Sequence, residues 1–231
     1  MRFVSILGDS VSTFEGYNPQ GYAVFYNKEM QEQNQLSDVC DTWWAKVIQA
    51  LSASLCVNNS YSGSKVSGTV FPAGECKERL SNLRTEEYVP DLVLVYMGFN
   101  DFGNGITVRK TKRWFGGNGA TASFEGAYEN MIRTIKSYYP NAEIVCGTLM
   151  RTRIKGMDSW VFPEKFAGIE LEEYNDAIRK IAKKTRCRLA DIAIIGERYE
   201  TLDGSHPTAQ GHIILADAWI RCLEELGQVE K

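Results

Sequence analysis

The chain has 231 residues, 44% hydrophobic and 24% charged, and its 26 Lys and Arg against 29 Asp and Glu leave a formal charge of −3. This is ordinary globular usage; it excludes disordered, collagen-like and coiled-coil classes, and the absence of a long basic run speaks against nucleic acid as a partner. No apolar run approaches the roughly 20 residues that cross a bilayer.

Read in chain order, short runs rich in Val, Ile and Leu alternate with amphipathic segments of helical period. The first run, residues 3–7, is broken too soon by Gly8-Asp9-Ser10 to serve as the apolar part of a signal peptide, so a cytoplasmic location is expected. A helix follows over 41–53 with Asp41 as N-cap, then a strand over 55–58 and a helix over 76–87. Strands over 92–97, 143–149 and 188–192 alternate with helices over 123–138, 171–184 and 207–226. Tyr174, Ile178 and Ile181 keep the i, i+4, i+7 spacing of a helix packed on a sheet.

Strands apolar on both faces, joined by right-handed helical crossovers, define an α/β fold. The expected architecture is a three-layer αβα sandwich around a five-stranded, parallel, doubly wound, flavodoxin-like sheet. No linker, repeat or low-complexity stretch divides the chain, so residues 1–231 read as one domain. The six cysteines (Cys40, Cys56, Cys76, Cys146, Cys187 and Cys222) form no C-x-x-C pair, which argues for reduced thiols and against a zinc or redox motif.

Ligands of such sheets bind beyond the strands' carboxyl ends, so the loops there are where chemistry is expected. The first strand leads into Gly8-Asp9-Ser10 and the second into Asn58-Asn59-Ser60-Tyr61-Ser62-Gly63. The third leads into Gly98-Phe99-Asn100-Asp101, and the fifth is followed by Asp203-Gly204-Ser205-His206-Pro207. A serine hydroxyl attacks a carbonyl only with a base to take its proton and donors to hold the oxyanion. Of the two histidines, His206 has Asp203 three residues before it and Pro207 after it, at an expected helix start. His212, among apolar residues of the last helix, reads as a buried structural histidine. Ser10, Gly63 and Asn100 offer one side-chain and two backbone donors. With average residue usage, the Gly-Asp-Ser, Asn-Asp and Asp-x-x-His-Pro blocks in this order arise by chance in about one chain in 10⁵.

Over essentially its whole length the sequence resembles the SGNH hydrolase superfamily, also called GDSL esterases and lipases. Leu7-Gly8-Asp9-Ser10 is similar to the first family block, which implies Ser10 as nucleophile and, through its N–H, as oxyanion donor. Gly63 stands at the second block, with Gly68 as the alternative; Gly98 to Asp101 match the third and imply Asn100 as side-chain donor. Asp203 to Pro207 match the last block and imply Asp203 as orienting acid and His206 as base. Val11 replaces the Leu of the family name without touching the nucleophile. The resemblance implies acyl transfer to water with no metal or organic cofactor, a small-molecule ester as substrate, and no stable membrane association.

Short acyl groups on a carbohydrate or other small alcohol are the preferred substrates; lipase, lysophospholipase and thioesterase activities, or a non-catalytic carbohydrate-binding role, are the alternatives. A two-metal phosphoesterase is disfavoured by the supply of only two histidines, and an α/β-hydrolase by the missing G-x-S-x-G elbow. Three further features await placement: the basic, Gly-rich segment 103–122 as a lid or substrate wall or else a disordered surface excursion, Arg151 and Arg153 as partners of an anionic substrate group or else solvated loop charges, and the aromatics Phe14, Tyr17, Tyr22, Phe25, Tyr26, Trp43 and Trp44 as stacking or acyl-pocket residues or else core.

Overall fold

The computed structural model describes residues 1–109 and 123–229. In chain order they form β1 (Phe3–Gly8), α1 (Lys28–Gln33), α2 (Trp43–Ala50), β2 (Ser54–Ser60), α3 (Lys77–Ser81), β3 (Leu92–Tyr96), α4 (Phe99–Gly103) and α5 (Phe124–Tyr138). There follow β4 (Glu143–Gly147), β5 (Thr152–Ile154), β6 (Lys165–Phe166), β7 (Ile169–Glu170), α6 (Leu171–Thr185), β8 (Arg188–Ala190), β9 (Tyr199–Thr201) and α7 (Ala209–Glu225). The main sheet is all parallel with order β2-β1-β3-β4-β8, the doubly wound sandwich expected from the sequence. All five residues of β3 are buried, as the centre of a sheet covered on both faces requires. Helices α3, α5 and α6 pack together against one face and α2 and α7 against the other. Trp43 of α2 stacks on Trp219 of α7 at 5.1 Å.

Strand order reverses between β1 and β3, and the crevice outside their carboxyl ends is where an open α/β sheet takes its ligand. Two small pairings frame that end. Parallel strands β5 and β9 lead into the loop carrying Asp203 and His206, and the β6–β7 hairpin carries Phe166 to its rim.

Several boundaries differ from the sequence expectation, each for a tertiary reason. The helix expected over 76–87 stops at Ser81 because Tyr139 takes its next backbone groups: its hydroxyl donates to the Ser81 carbonyl at 2.6 Å and accepts from the Leu83 N–H at 3.1 Å. Asp41 does not cap the next helix; it lies in a 3₁₀ turn and accepts from Ser37 N–H, while Thr42 caps α2. Pro207 lies outside the last helix. It pairs with Thr201 in an antiparallel bridge, and Thr208 caps α7 by accepting from Gly211 N–H at 3.1 Å.

Candidate active site

The serine turn is built by close approach. Beyond Gly8 the chain enters a 3₁₀ turn over Ser10–Ser12, and Asp9 caps it by accepting from Val11 N–H at 3.2 Å. A Cβ on Gly8 would sit 2.6 Å from the Ser12 Oγ and 2.7 Å from the Ser60 Oγ, so only glycine lets the turn fold back so tightly. The polar end of β2 braces it: Asn58 donates to the Ser12 carbonyl at 2.8 Å and accepts from the Ser60 hydroxyl at 2.6 Å. Ser10 is held 8% exposed and lines a cavity of about 440 Å³.

Asn100 reaches the same cavity from the first turn of α4. Gly98 precedes that turn at φ +142°, a conformation only glycine adopts easily. The neighbouring Asp101 is no surface turn residue. Its buried carboxylate accepts from Val66 N–H at 2.7 Å and from the Ser67 N–H and hydroxyl at 3.1 and 2.6 Å, tying the loop after β2 to α4. Burial pushes Asp101 up despite these bonds.

Asp203 and His206 lie in the loop between β9 and α7 rather than at a helix start, a correction to the sequence expectation. The Asp203 carboxylate binds the imidazole Nδ1 at 2.6 Å and accepts from the Ser205 and His206 N–H groups, both at 2.8 Å. Burial raises Asp203, but the bond and charge of His206 and the two N–H groups outweigh it and hold the carboxyl at about 2. Asp203 is therefore ionised throughout the neutral range. The cavity brings Ser10, Asn100, Asp203 and His206 together, and the Ser10 hydroxyl makes no hydrogen bond to His206 among the described residues.

Gly63 is not in that wall; it lines a separate cavity of about 280 Å³ together with Gly68. Their amides differ. Gly68 N–H is spent on a Glu75 oxygen at 2.9 Å, whereas the N–H groups of Gly63 and Ser10 and the Asn100 amide have no acceptor among the described residues. His212 is buried, accepts from Trp43 N–H at 3.2 Å, and is pushed down to about 3 by burial and by the charges of Lys46 and His206. It sits between α2 and α7, away from the cavity.

Arg151 and Arg153 do not face the cavity. They pair with Glu164 at 3.3 Å and Glu200 at 3.2 Å, which leaves them as the loop charges of the second expectation rather than partners of an anionic substrate group. The aromatics after the nucleophile do not line it either: Phe14, Tyr26, Trp43 and Trp44 are core. The aromatic lining comes instead from Phe99, Phe102, Trp160, Phe162 and Phe166, with polar residues Asn104, Thr152 and Ser205 also in the wall. The one signal for it was the apolar, aromatic run Trp160-Val161-Phe162 inside an expected loop. Of segment 103–122, Gly103 and Asn104 line the cavity and Arg109 pairs with Glu125; residues 110–122, on which the expected lid mostly falls, lie outside the described residues.

Asp9 gives the site a pH signature. Its Oδ2 is buried with no partner among the described residues, and burial raises the carboxyl to about 6 against the lowering effects of the Val11 bond and the His206 and Arg79 charges. Because the folded value lies above the unfolded 3.8, this contribution to stability is complete below about pH 4 and is lost as pH rises through about 6. Asp9→Asn carries no such slope. Unfolding titrations should show the variant gaining about 3 kcal/mol on wild type between pH 4 and 8; a constant difference would contradict the burial of an ionisable Asp9.

A parallel doubly wound sheet with a serine turn after its first strand and an Asp–His pair after its last defines a hydrolase of the SGNH class. The GDSL-like lipase/acylhydrolase family model matches residues 2–160, and the chain belongs to that family. The match ends before Asp203 and His206. Among solved structures, the chain is similar to a GDSL-like lipase candidate from Bacteroides ovatus, at 24% identity and TM-score 0.73 over 97% of this chain and 99% of that one. It is also similar to one from Bacteroides uniformis, at 26% identity and TM-score 0.71 over 99% and 96%. An active-site mutant of a family two carbohydrate esterase from Clostridium thermocellum matches at 18% identity and TM-score 0.57, covering 99% of this chain and 65% of that one. No curated protein matches the chain. Family and fold make it a hydrolase acting on ester bonds. Among the described residues no helix is long and apolar enough to cross a membrane, and no cluster of His, Cys, Asp or Glu could hold a metal ion.

Proposed function

We propose that residues 1–231 act as one serine esterase domain that hydrolyses carboxylic esters through an acyl-enzyme on Ser10. Short acyl groups on a carbohydrate or another small alcohol are its substrates. The observation that carries this reading is the meeting of Ser10, Asn100, Asp203 and His206 around one cavity, with His206 bound to Asp203 at 2.6 Å. His206 takes the Ser10 proton as the oxygen attacks the carbonyl, and ionised Asp203 orients the imidazole and stabilises its charged form. The amides of Ser10 and Asn100, both in the cavity wall, receive the oxyanion, and Gly63, from the loop that Asp101 ties to α4, is assigned as third donor over Gly68 because its N–H has no acceptor among the described residues. His206 then protonates the departing alcohol, and a water activated by the same imidazole clears the acyl group. These steps need no metal or organic cofactor.

A cavity of about 440 Å³ suits a substrate of one ring and a short chain, and a wall of aromatic rings together with amides and hydroxyls suits a sugar-sized alcohol. The test is a p-nitrophenyl ester series from acetate to palmitate beside a panel of acetylated sugars. The expected result is a kcat/KM maximum at acetate to butyrate, at least about tenfold above palmitate, with turnover of at least one acetylated sugar. A palmitate optimum would replace this reading with a lipase, and sugar binding without any turnover would replace it with a binding module.

A further inference from the structure

Resting on the assignment of His206 as the base, we propose that Phe25 is a positioning residue for it, fixing the plane of the imidazole and stabilising the charged form that arises when Ser10 loses its proton. The two rings lie parallel, 9° apart, with centroids separated by 3.4 Å. Asp203 holds one edge of the imidazole through Nδ1, which leaves rotation about that bond unrestrained; a flat ring against the imidazole face removes it. The Nε2 edge has no hydrogen bond among the described residues, and His206 lines the cavity that Ser10 also lines.

Phe25 is itself held by the nucleophile's own turn. The Thr13 hydroxyl donates to the Ser10 carbonyl at 2.9 Å and accepts from Phe25 N–H at 2.9 Å, so one side chain sets the distance between the serine turn and the ring behind the base. The next residue clamps the other loop: the Tyr26 hydroxyl donates to the Pro207 carbonyl at 2.7 Å, and its ring meets Phe25 edge to face at 4.9 Å. The segment 13–26 therefore couples two loops almost 200 positions apart in the chain, and the only ring it lays on His206 is Phe25.

The electrostatics favour the same role. The face of a benzene ring is the negative end of its quadrupole, and a cation over it is stabilised relative to the neutral form. Asp203 in its own loop, Asp9 at the end of β1 and His212 on α7 each respond to the charge of His206; His212 is held neutral by burial. None of these supplies a planar contact.

The test compares wild type, Phe25→Leu, Phe25→Tyr and Ser10→Ala. Leucine keeps the volume and shields the imidazole from water but removes the ring face; tyrosine keeps the face. In the proton NMR spectrum, where the chain offers only two imidazoles, the His206 Hε1 signal should lie upfield in wild type through the Phe25 ring current, move downfield in Phe25→Leu and return in Phe25→Tyr. In Phe25→Leu, kcat should fall about tenfold with KM within about twofold, and the acid limb of kcat/KM should move to lower pH by about half a unit. Phe25→Tyr should restore kcat and the limb. Unchanged Hε1 position or unchanged kcat and pH limb in Phe25→Leu would overturn the proposal, as would a Tyr variant as impaired as the Leu variant. Turnover surviving in Ser10→Ala would instead overturn the esterase reading beneath it, and the Hε1 signal would still decide whether the rings stack.

Discussion

Ser10→Ala is expected to remove ester hydrolysis altogether, and His206→Ala to lower kcat by about 10⁴-fold or more. The two groups act as one unit: an alanine at position 10 leaves nothing to acylate, and an alanine at 206 leaves the hydroxyl protonated and the leaving alcohol without an acid. Combining the substitutions should therefore cost little more than either alone. Asp203→Asn should leave measurable activity, because Asp203 orients and stabilises the imidazole without exchanging a proton with substrate. His212→Asn provides the contrast. His212 is buried against Trp43 N–H and far down from the titration range of a catalytic base, so its replacement should lower the melting temperature by the equivalent of about 1–3 kcal/mol and leave kcat within a few-fold. Steady-state kinetics and thermal melts on the four variants decide the matter; loss of activity in His212→Asn with retention in His206→Ala would reverse the assignment.

The largest effect on stability is expected at Arg79. Its guanidinium is fully buried, and all five of its N–H groups are used: on the Asn59 side-chain and backbone oxygens, the Ser64 hydroxyl, and the Pro72 and Gly8 carbonyls. These acceptors are the carboxyl ends of β1 and β2 and the loops leaving them. Burial lowers Arg79 to about 10, which still leaves it charged at neutral pH, with Asp9 among the groups favouring that charge. Arg79→Met would strip donors from four buried acceptors and one half-buried one at once, and about 4 kcal/mol or more should be lost. In a chain of this size that is a fall of roughly 10 °C in melting temperature. Arg79→Lys should recover only part of it, since a single ammonium cannot span the fork. A melting temperature within a degree or two of wild type for Arg79→Met would contradict the network.

The core of this arrangement was legible because it is local. Five apolar runs gave the strands, and Gly-Asp-Ser, Gly-x-Asn-Asp and Asp-x-x-His-Pro each hold their chemistry within five consecutive residues. What stayed hidden depends on distant partners. Nothing local marks Arg79, one charge in a short segment, as buried; its burial depends on Gly8 and Asn59 being brought over it. The choice between Gly63 and Gly68 turns on the Glu75 carboxylate, which no spacing announces. Phe25 shares the aromatic pattern of its core neighbours and differs only in lying on a histidine from the far end of the chain. The cavity's aromatic wall joins α4 to residues 160–166, and nothing local pairs them.

The most direct test of a covalent acyl-enzyme on Ser10 is rapid acid quenching of the protein during p-nitrophenyl acetate turnover, followed by intact mass and peptide mapping. The predicted result is a population heavier by one acetyl group, carried on the peptide that contains Ser10 and absent from Ser10→Ala. Turnover with no adduct, or an adduct that persists in Ser10→Ala, would contradict it.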